Sequence, residues 1–217
     1  MRGTDEHRLL VFTRTAGYRH DSIPAGVAAL GDLFVIDATE DPDALRRLDG
    51  YAAVVFLNTS ADVLDDAGRA ALEAYVRGGG GFAGVHCAAA TEYGWPTYGE
   101  LVGAYFADHP EVQPATVRVE DADHPATAGL PGQWRHVDEW YNFRANPRGA
   151  VRVLLTVDES SYHGGTMGTD HPWAWCRQFG RGRAFYTAGG HPEQSYVDPT
   201  FRAHLAGGIR YATGEAH

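Results

Sequence analysis

Histidines, carboxylates, tyrosines and arginines occur in this sequence in short bursts of the kind that supports acid–base or metal chemistry. Residues 78–91, GGGGFAGVHCAAAT, form an apolar run that ends in His86 and Cys87. Residues 13–22, TRTAGYRHDS, hold Arg14, Tyr18, Arg19, His20 and Asp21, a ready pocket for hydroxyls, carbonyls or anions. Four His-Pro dipeptides begin at His109, His124, His171 and His191. Proline pushes the residue before it toward extended geometry, so each imidazole sits on a stiff loop. An imidazole titrates near neutrality and can serve as acid, base or metal ligand. Residues 134–143, WRHVDEWYNF, add Asp138, Glu139 and Tyr141. Extended alternation turns Asp138 away from Glu139 and Tyr141, so one face offers a carboxylate to a site and the other meets solvent. H-E-x-x-H and C-x-x-C spacings are absent, so a metal site has to be assembled from scattered His and Glu.

Each motif has a plainer reading. Cys87 alone reads as a small buried hydrophobe. DHPATAGLP (123–131) reads as a structural turn. Gly79, Gly81 and Gly84 spell G-x-G-x-x-G, but a dinucleotide fingerprint follows a strand and opens a helix, and this one does the reverse. These glycines end a helix and permit a tight crossover. His191 is the most pointed of the His-Pro group, because it follows an apolar strand and two glycines. His109 is placed to fold back over the same rim.

The elements that position these residues follow from apolar periodicity. LLVFT (9–13), FVIDAT (34–39), AAVVFLN (52–58) and GFAGVHC (81–87) read as strands. HDSIPAGVAALGDL, with Ser22 as cap and Pro24 in the first turn, DPDALRRL and DDAGRAALEAYVRGGG read as helices. Alternating elements with continuously apolar strands indicate a parallel sheet covered on both faces. YGWPTYGELVGAYF reads as a helix broken by Pro96, and Tyr93–Ala150 as insertions and loops at one end of the sheet. ATVRVE, VRVLLTVD, PWAWCRQF and RAFYTA are later strands, the last two joined by a GRG turn, and DPTFRAHLAGGIRYATG is the final helix. Ligands in open parallel sheets bind outside the carboxyl ends of the strands. That rule brings residues 13–22, 86–95 and 188–196 to one rim.

The chain has 217 residues, 18 basic and 28 acidic, for a formal charge of −10. An acidic chain argues against non-specific nucleic-acid binding. Every basic residue is Arg, which excludes a Schiff-base or P-loop lysine. Two cysteines make no disulfide framework, so a reducing compartment is expected. The polar start MRGTDEHR does not read as a secretory signal, and no apolar stretch reaches the roughly 18 residues of a membrane span.

The ordered set GYRHDSI, GGGGFAGVHCAAAT, FADHPE, DHPATAGLP, VDEWYNF, GRGRAFYTAGGHPEQSY and FRAHLAGGIRYATG resembles the ThuA-like family, associated with trehalose utilisation, over nearly the whole chain. The resemblance implies a class I glutamine amidotransferase-like fold: a flavodoxin-like α/β three-layer sandwich with a mostly parallel central sheet, one domain over residues 1–217. Amidotransferases carry a nucleophilic Cys in a G-x-C-x-G turn and a later His-Pro-Glu. His191-Pro192-Glu193 is present here, but Gly84-Val85-His86 places a histidine where that Cys belongs, and Cys87 falls one place late. One residue along a strand or sharp turn redirects the side chain, so a Cys87–His191 pair is not expected.

The resemblance implies instead a carbohydrate-processing enzyme for a keto sugar or 3-keto-glycoside, working by elimination, hydrolysis or isomerisation through an enolate. A ketone at C3 acidifies the C2 proton; a base removes it, an electrophile holds the enolate and an acid protonates the leaving group. On this reading His20, His86, His109 and His191 take acid–base or metal-ligand roles, with Glu139 as the accompanying carboxylate. Arg14, Tyr18, Arg19, Asp21, Tyr141 and Trp173 contact hydroxyls or stack on the sugar ring. A divalent metal is the candidate cofactor and no nucleotide cofactor is expected. The expected partners are a small sugar and a second copy of the chain, with no nucleic acid or membrane, in the cytoplasm. Two alternatives stand beside it: a Cys87/His191/Glu193 thiol hydrolase or amidotransferase-like enzyme, and a non-catalytic sugar-binding protein. An imidazole at the rim and not packed makes His86→Ala cost roughly 1 kcal/mol or less of stability while abolishing activity.

Overall fold

Leu9–Phe12 (β1), Ala53–Leu57 (β3) and Gly81–Val85 (β4) are apolar and buried along their whole length in the computed structural model, which describes residues 7–216. Residues 1–6, most of the polar start read above, and residue 217 lie outside the described residues. Between these strands come α1 (Ile23–Gly31), β2 (Ile36–Thr39), a 3-10 turn at Pro42–Arg46 and α2 (Asp66–Arg77). The Asp65 carboxylate caps α2 by accepting from the Gly68 N–H at 2.8 Å, and the Asp41 side chain does the same for the 3-10 turn. Phe56 of β3 packs its ring 5.8 Å from Tyr98, in the helix Pro96–Val102 (α3). The next residue, Leu57, closes on Gly26 of α1. Successive strand residues point to opposite faces, so helices cover both sides of β3.

The later chain supplies β5 (Phe106–Asp108), β6 (Gln113–Val119), β7 (Gln133–Asp138), β8 (Asn142–Phe143), β9 (Arg152–Asp158), β10 (Pro172–Phe179), β11 (Gly182–Thr187) and α4 (Pro199–Thr213). Nine strands form one sheet in the order β2-β1-β3-β4-β11-β10-β9-β6-β7, and β5 pairs with β8 apart from it. The pairings β1–β2, β1–β3, β3–β4 and β4–β11 are parallel. Those of β10–β11, β9–β10, β6–β9 and β6–β7 are antiparallel. The α/β class expected from the sequence holds, but the sheet is mixed, half parallel and half antiparallel. Helix α4 lies close over the parallel half: a Cβ on Gly81 would stand 2.4 Å from the Ala212 carbonyl oxygen.

Three local expectations change. Pro96 opens α3 instead of breaking it, because the first helical residue needs no N–H partner. Ser22 stands at the start of α1 but makes no cap bond; its hydroxyl donates to the Gly190 carbonyl instead. The stretch Tyr93–Ala150 is not merely loops at one end, since β6 and β7 extend the sheet to its far edge. Strand β7 hid from an apolar pattern because its alternation is inverted: His136 and Asp138 are buried and Val137 is 51 % exposed. The 123–131 segment is a turn, and its His124 is buried with Nδ1 accepting from the Ala126 N–H. Among the described residues no helix is long and apolar enough to cross a membrane.

Candidate metal centre and active site

Strands β1, β3, β4 and β11 are neighbours, so the loops after their carboxyl ends meet at one rim. His20 comes from the loop after β1 and is buried. Its ring stands edge-on to those of His86 and His191, at 4.9 and 5.1 Å between centroids. His86 follows β4 directly and opens the 3-10 turn His86–Ala90 with φ of 48°. That left-handed backbone is uncommon outside glycine and makes the sharp turn that swings the imidazole across the strand end. His86 Nδ1 lies 2.6 Å from the Ala188 carbonyl oxygen. A carbonyl only accepts, so Nδ1 carries the proton and Nε2 presents its lone pair. Tyr141 stacks on the same ring at 4.1 Å.

His191 is placed by a clamped turn. Gly190 has φ of 112°, and a Cβ there would meet the Tyr196 hydroxyl at 2.7 Å, so only glycine fits. The Gly190 carbonyl accepts from Ser22 Oγ, Asn58 Nδ2 and Tyr196 Oη at 3.2, 3.3 and 3.0 Å. The Gly190 and His191 N–H groups donate to Asp138 at 2.9 and 3.1 Å. Asp138 is fully buried at the end of β7, and His136 Nε2 sits 3.2 Å from Oδ2, the oxygen that also takes the Gly190 N–H. Burial alone would raise its carboxyl, but the His136 contact, nearby His86 and the backbone donors outweigh it and hold the group below the ordinary range. Glu139 follows directly and enters the rim.

The result is convergence. His86 Nε2 and His191 Nδ1 lie 3.3 and 3.2 Å from Glu139 Oε2. One donor atom each from His20, His86, Glu139 and His191 falls within 4.8 Å of the others. Beyond the Glu139 contacts of the last two, the buried His20 Nδ1, His86 Nε2 and His191 Nδ1 have no hydrogen-bond partner among the described residues. Ligand atoms around a tetrahedral ion at about 2.0–2.1 Å are roughly 3.3 Å apart, close to the two Glu139 contacts, and the whole set falls within 4.8 Å. Burial, with His86 and His191 close by, drives His20 down to about 3, so it is a neutral donor at physiological pH. Burial pushes the Glu139 carboxyl up, but His191 and His86 overcome it and hold it well below the usual carboxylate range. Glu139 in turn raises His191, against its own burial.

His20, Glu139 and His191 of the cluster line a cavity of about 410 Å³ together with His109, Tyr141 and Cys87, while His86 is fully buried behind them. His109 stays 42 % exposed at its mouth, with Nδ1 3.1 Å from Glu139 Oε1. Tyr18, 66 % exposed, stands on the lip over His20, and Asp21 lines a second cavity that shares His20 and His191. Other expected contacts are not brought there. Trp173 is 1 % exposed, packed on Trp140 and His136, and cannot stack on a sugar ring. Arg19 is spent on Glu40 and the Thr13 carbonyl, and Arg14 is exposed and lines neither cavity. Asp138 does not meet solvent but reaches inward to the His191 turn.

Several residues that shape the site carried no usable sequence signal. Asn58 reads only as the end of β3, yet it ties Gly190 to the Cys87 N–H. Glu92, fully buried with φ of 54°, accepts from the Val63 and Leu64 N–H groups and from Arg69. Ser195 Oγ, His136 and Asp198 run in the order of a hydrolytic triad, at 3.3 and 3.5 Å. Ser195 is buried, however, and also contacts Asp138, so the chain braces that carboxylate.

Fold and site together define an α/β protein whose chemistry-bearing groups are imidazoles and one carboxylate at the carboxyl ends of parallel strands. The family model described as ThuA, trehalose utilisation, matches residues 8–212. The chain therefore belongs to the ThuA family, which points to a carbohydrate-related role. A ThuA-like protein from Bacteroides uniformis superposes with a TM-score of 0.84 at 26 % identity, covering 100 % of this chain and 95 % of that one. Another from Parabacteroides merdae gives 0.79 at 20 % identity, covering 97 % and 91 %. A β-galactosidase from Rahnella sp. R3 shares the fold alone, with a TM-score of 0.61 at 16 % identity over 96 % of this chain and 31 % of that one. No curated protein matches the chain.

Proposed function

We propose that this chain is a carbohydrate-processing enzyme acting on a keto sugar or 3-keto-glycoside through an enolate, with His20, His86, His191 and Glu139 holding a divalent metal ion. The observation that carries the reading is the convergence of three buried, unpartnered imidazole nitrogens on one carboxylate. Such a donor set suits Zn²⁺ and other borderline divalent ions. His86 donating its second nitrogen to a backbone carbonyl is the outer-shell arrangement that orients a metal-bound imidazole. When bound, the ion supplies a Lewis acid that polarises a carbonyl and stabilises charge developing on its oxygen.

The protein's own groups do the rest. His109, outside the four-donor set and open to the cavity, is the group able to take or return a proton at the substrate. Asp21 and Tyr18 meet hydroxyls at the lip, and Tyr141 holds His86 in place from the cavity wall. The thiol alternative draws no support: burial pushes the Cys87 thiol up to about 11, and the carboxylate beside His191 is Glu139, while Glu193 lies exposed. The reading takes residues 1–217 as one domain of the flavodoxin-like layered sandwich, working in the cytoplasm as a homodimer without a nucleotide cofactor.

Elemental analysis and turnover of a panel of 3-keto-glucosides, before and after chelation, test it. The expected result is near-stoichiometric divalent metal and turnover that is lost on chelation and restored by the ion. No turnover across the panel overturns the enzyme reading. Turnover indifferent to chelation in metal-free protein overturns the metal centre.

A further inference from the structure

The two cavities at the rim share Tyr18, His20 and His191 but differ in chemistry. The larger, over the Glu139 side of the cluster, is walled by Ala61, Cys87, Ala90, Tyr93, Phe106 and Tyr141. Most of this wall is carbon, and two of its polar atoms, Ser60 Oγ and the Tyr93 hydroxyl, are already engaged. Ser60 Oγ donates to the Tyr18 carbonyl and accepts from the Gly17 N–H, and the Tyr93 hydroxyl donates to the Phe106 carbonyl. Tyr141 and Phe106 pack ring to ring at 4.4 Å. The neighbouring cavity, of about 350 Å³, instead presents Asp21, Glu193 and Gln194, whose side chains are exposed and have no hydrogen-bond partner among the described residues. Carboxylates and amides accept from sugar hydroxyls, whereas a hydroxyl pressed on the aromatic wall would lose its hydration and gain no partner.

From this division we infer that the substrate is a glycoside with an aromatic aglycone: the sugar ring lies toward Asp21, Glu193 and Gln194, the aglycone fills the cavity walled by Tyr93, Phe106 and Tyr141, and the bond between them crosses the His20–His191 edge of the cluster. This names the substrate class for the site proposed above and rests on that reading. The cavity lies within the roughly 300–1,000 Å³ range of small-molecule sites. A second sugar in place of the aglycone would press most of its hydroxyls on carbon.

Two measurements separate this inference from the function on which it rests. Calorimetry compares methyl glucoside, phenyl glucoside and trehalose, none of which needs to react. Turnover compares 3-keto-glucosides bearing methyl, 4-nitrophenyl or a second glucose. The expected result is binding of phenyl over methyl glucoside by about tenfold or more, from apolar burial, with the same ranking in kcat/KM. Ala90→Phe, checked for folding by thermal melting, is expected to erase the preference for phenyl over methyl glucoside. Equal binding of methyl and phenyl glucosides, or a preference for the disaccharide in either assay, overturns the aglycone site. A phenyl preference in binding with no turnover of any keto-glucoside supports the site and sinks the enzymatic function.

Discussion

His86 combines a strained backbone, a fixed tautomer and a packed ring in one residue. Its φ of 48°, its bond to the Ala188 carbonyl and its stacking on Tyr141 all serve to aim Nε2 at Glu139. The expectation of a small stability cost at this position rested on an unpacked imidazole at the rim, and the ring is instead fully buried. Deleting it leaves a cavity and an orphaned carbonyl, so His86→Ala is expected to cost about 2–4 kcal/mol and to abolish activity. His109, 42 % exposed, packs little. His109→Ala is expected to stay within about 0.5 kcal/mol of the parent while turnover falls on the order of 10²-fold. Urea unfolding beside single-substrate kinetics distinguishes the two; similar stability losses at both positions would contradict this account.

At the scale of elements, the site depends on a contact between opposite ends of the chain's topology. Strand β7 is the far edge of the sheet, yet its last residue, Asp138, holds the Gly190–His191 turn that follows β11. Asp138→Asn keeps the shape but turns an amide N–H₂ toward one of the N–H donors. Stability is expected to fall by about 1–3 kcal/mol. Metal affinity is expected to fall 10- to 100-fold, the usual effect of removing an outer-shell partner. Titration of zinc into the chelated protein reads the second effect, which a purely structural role for Asp138 would leave unmoved.

At the scale of the whole molecule, acid sensitivity follows from histidines buried away from the rim. His204 is fully buried between α4 and the sheet, with Nδ1 on the Ala126 carbonyl and Nε2 on the Thr187 hydroxyl. Burial lowers it to about 4, and lowers His124, against Tyr211, to about 4 as well. Both folded values lie below the unfolded value near 6.5, so the folded state binds fewer protons there. Their contribution is complete above about pH 6.5 and is lost as pH falls toward 4, to the extent of about 3 kcal/mol for His204. Denaturant midpoints measured from pH 7 to 4.5 are expected to decline through that window. A flat profile would mean these imidazoles are not carried neutral in the core.

Composition and periodicity by themselves determined the α/β class, the parallel strands β1 to β4, a later strand at β11, and the imidazoles of His20, His86, His109 and His191 as the groups to watch. These are local signals: an apolar run of strand length, a helix stop, a histidine just past a strand end. The tertiary structure alone decided the rest. It made the sheet mixed, through the antiparallel pairings of β11, β10, β9, β6 and β7, the last a strand that inverted alternation conceals. It withdrew Trp173, Arg14 and Arg19 from the substrate contacts, because neighbours distant in sequence bury or pair two of them and the third faces solvent. It also turned four scattered donors into one centre. Which atoms of separate loops meet depends on strand order and on clamps such as Asp138 and Gly190, and neither is encoded in the spacing of the residues that meet.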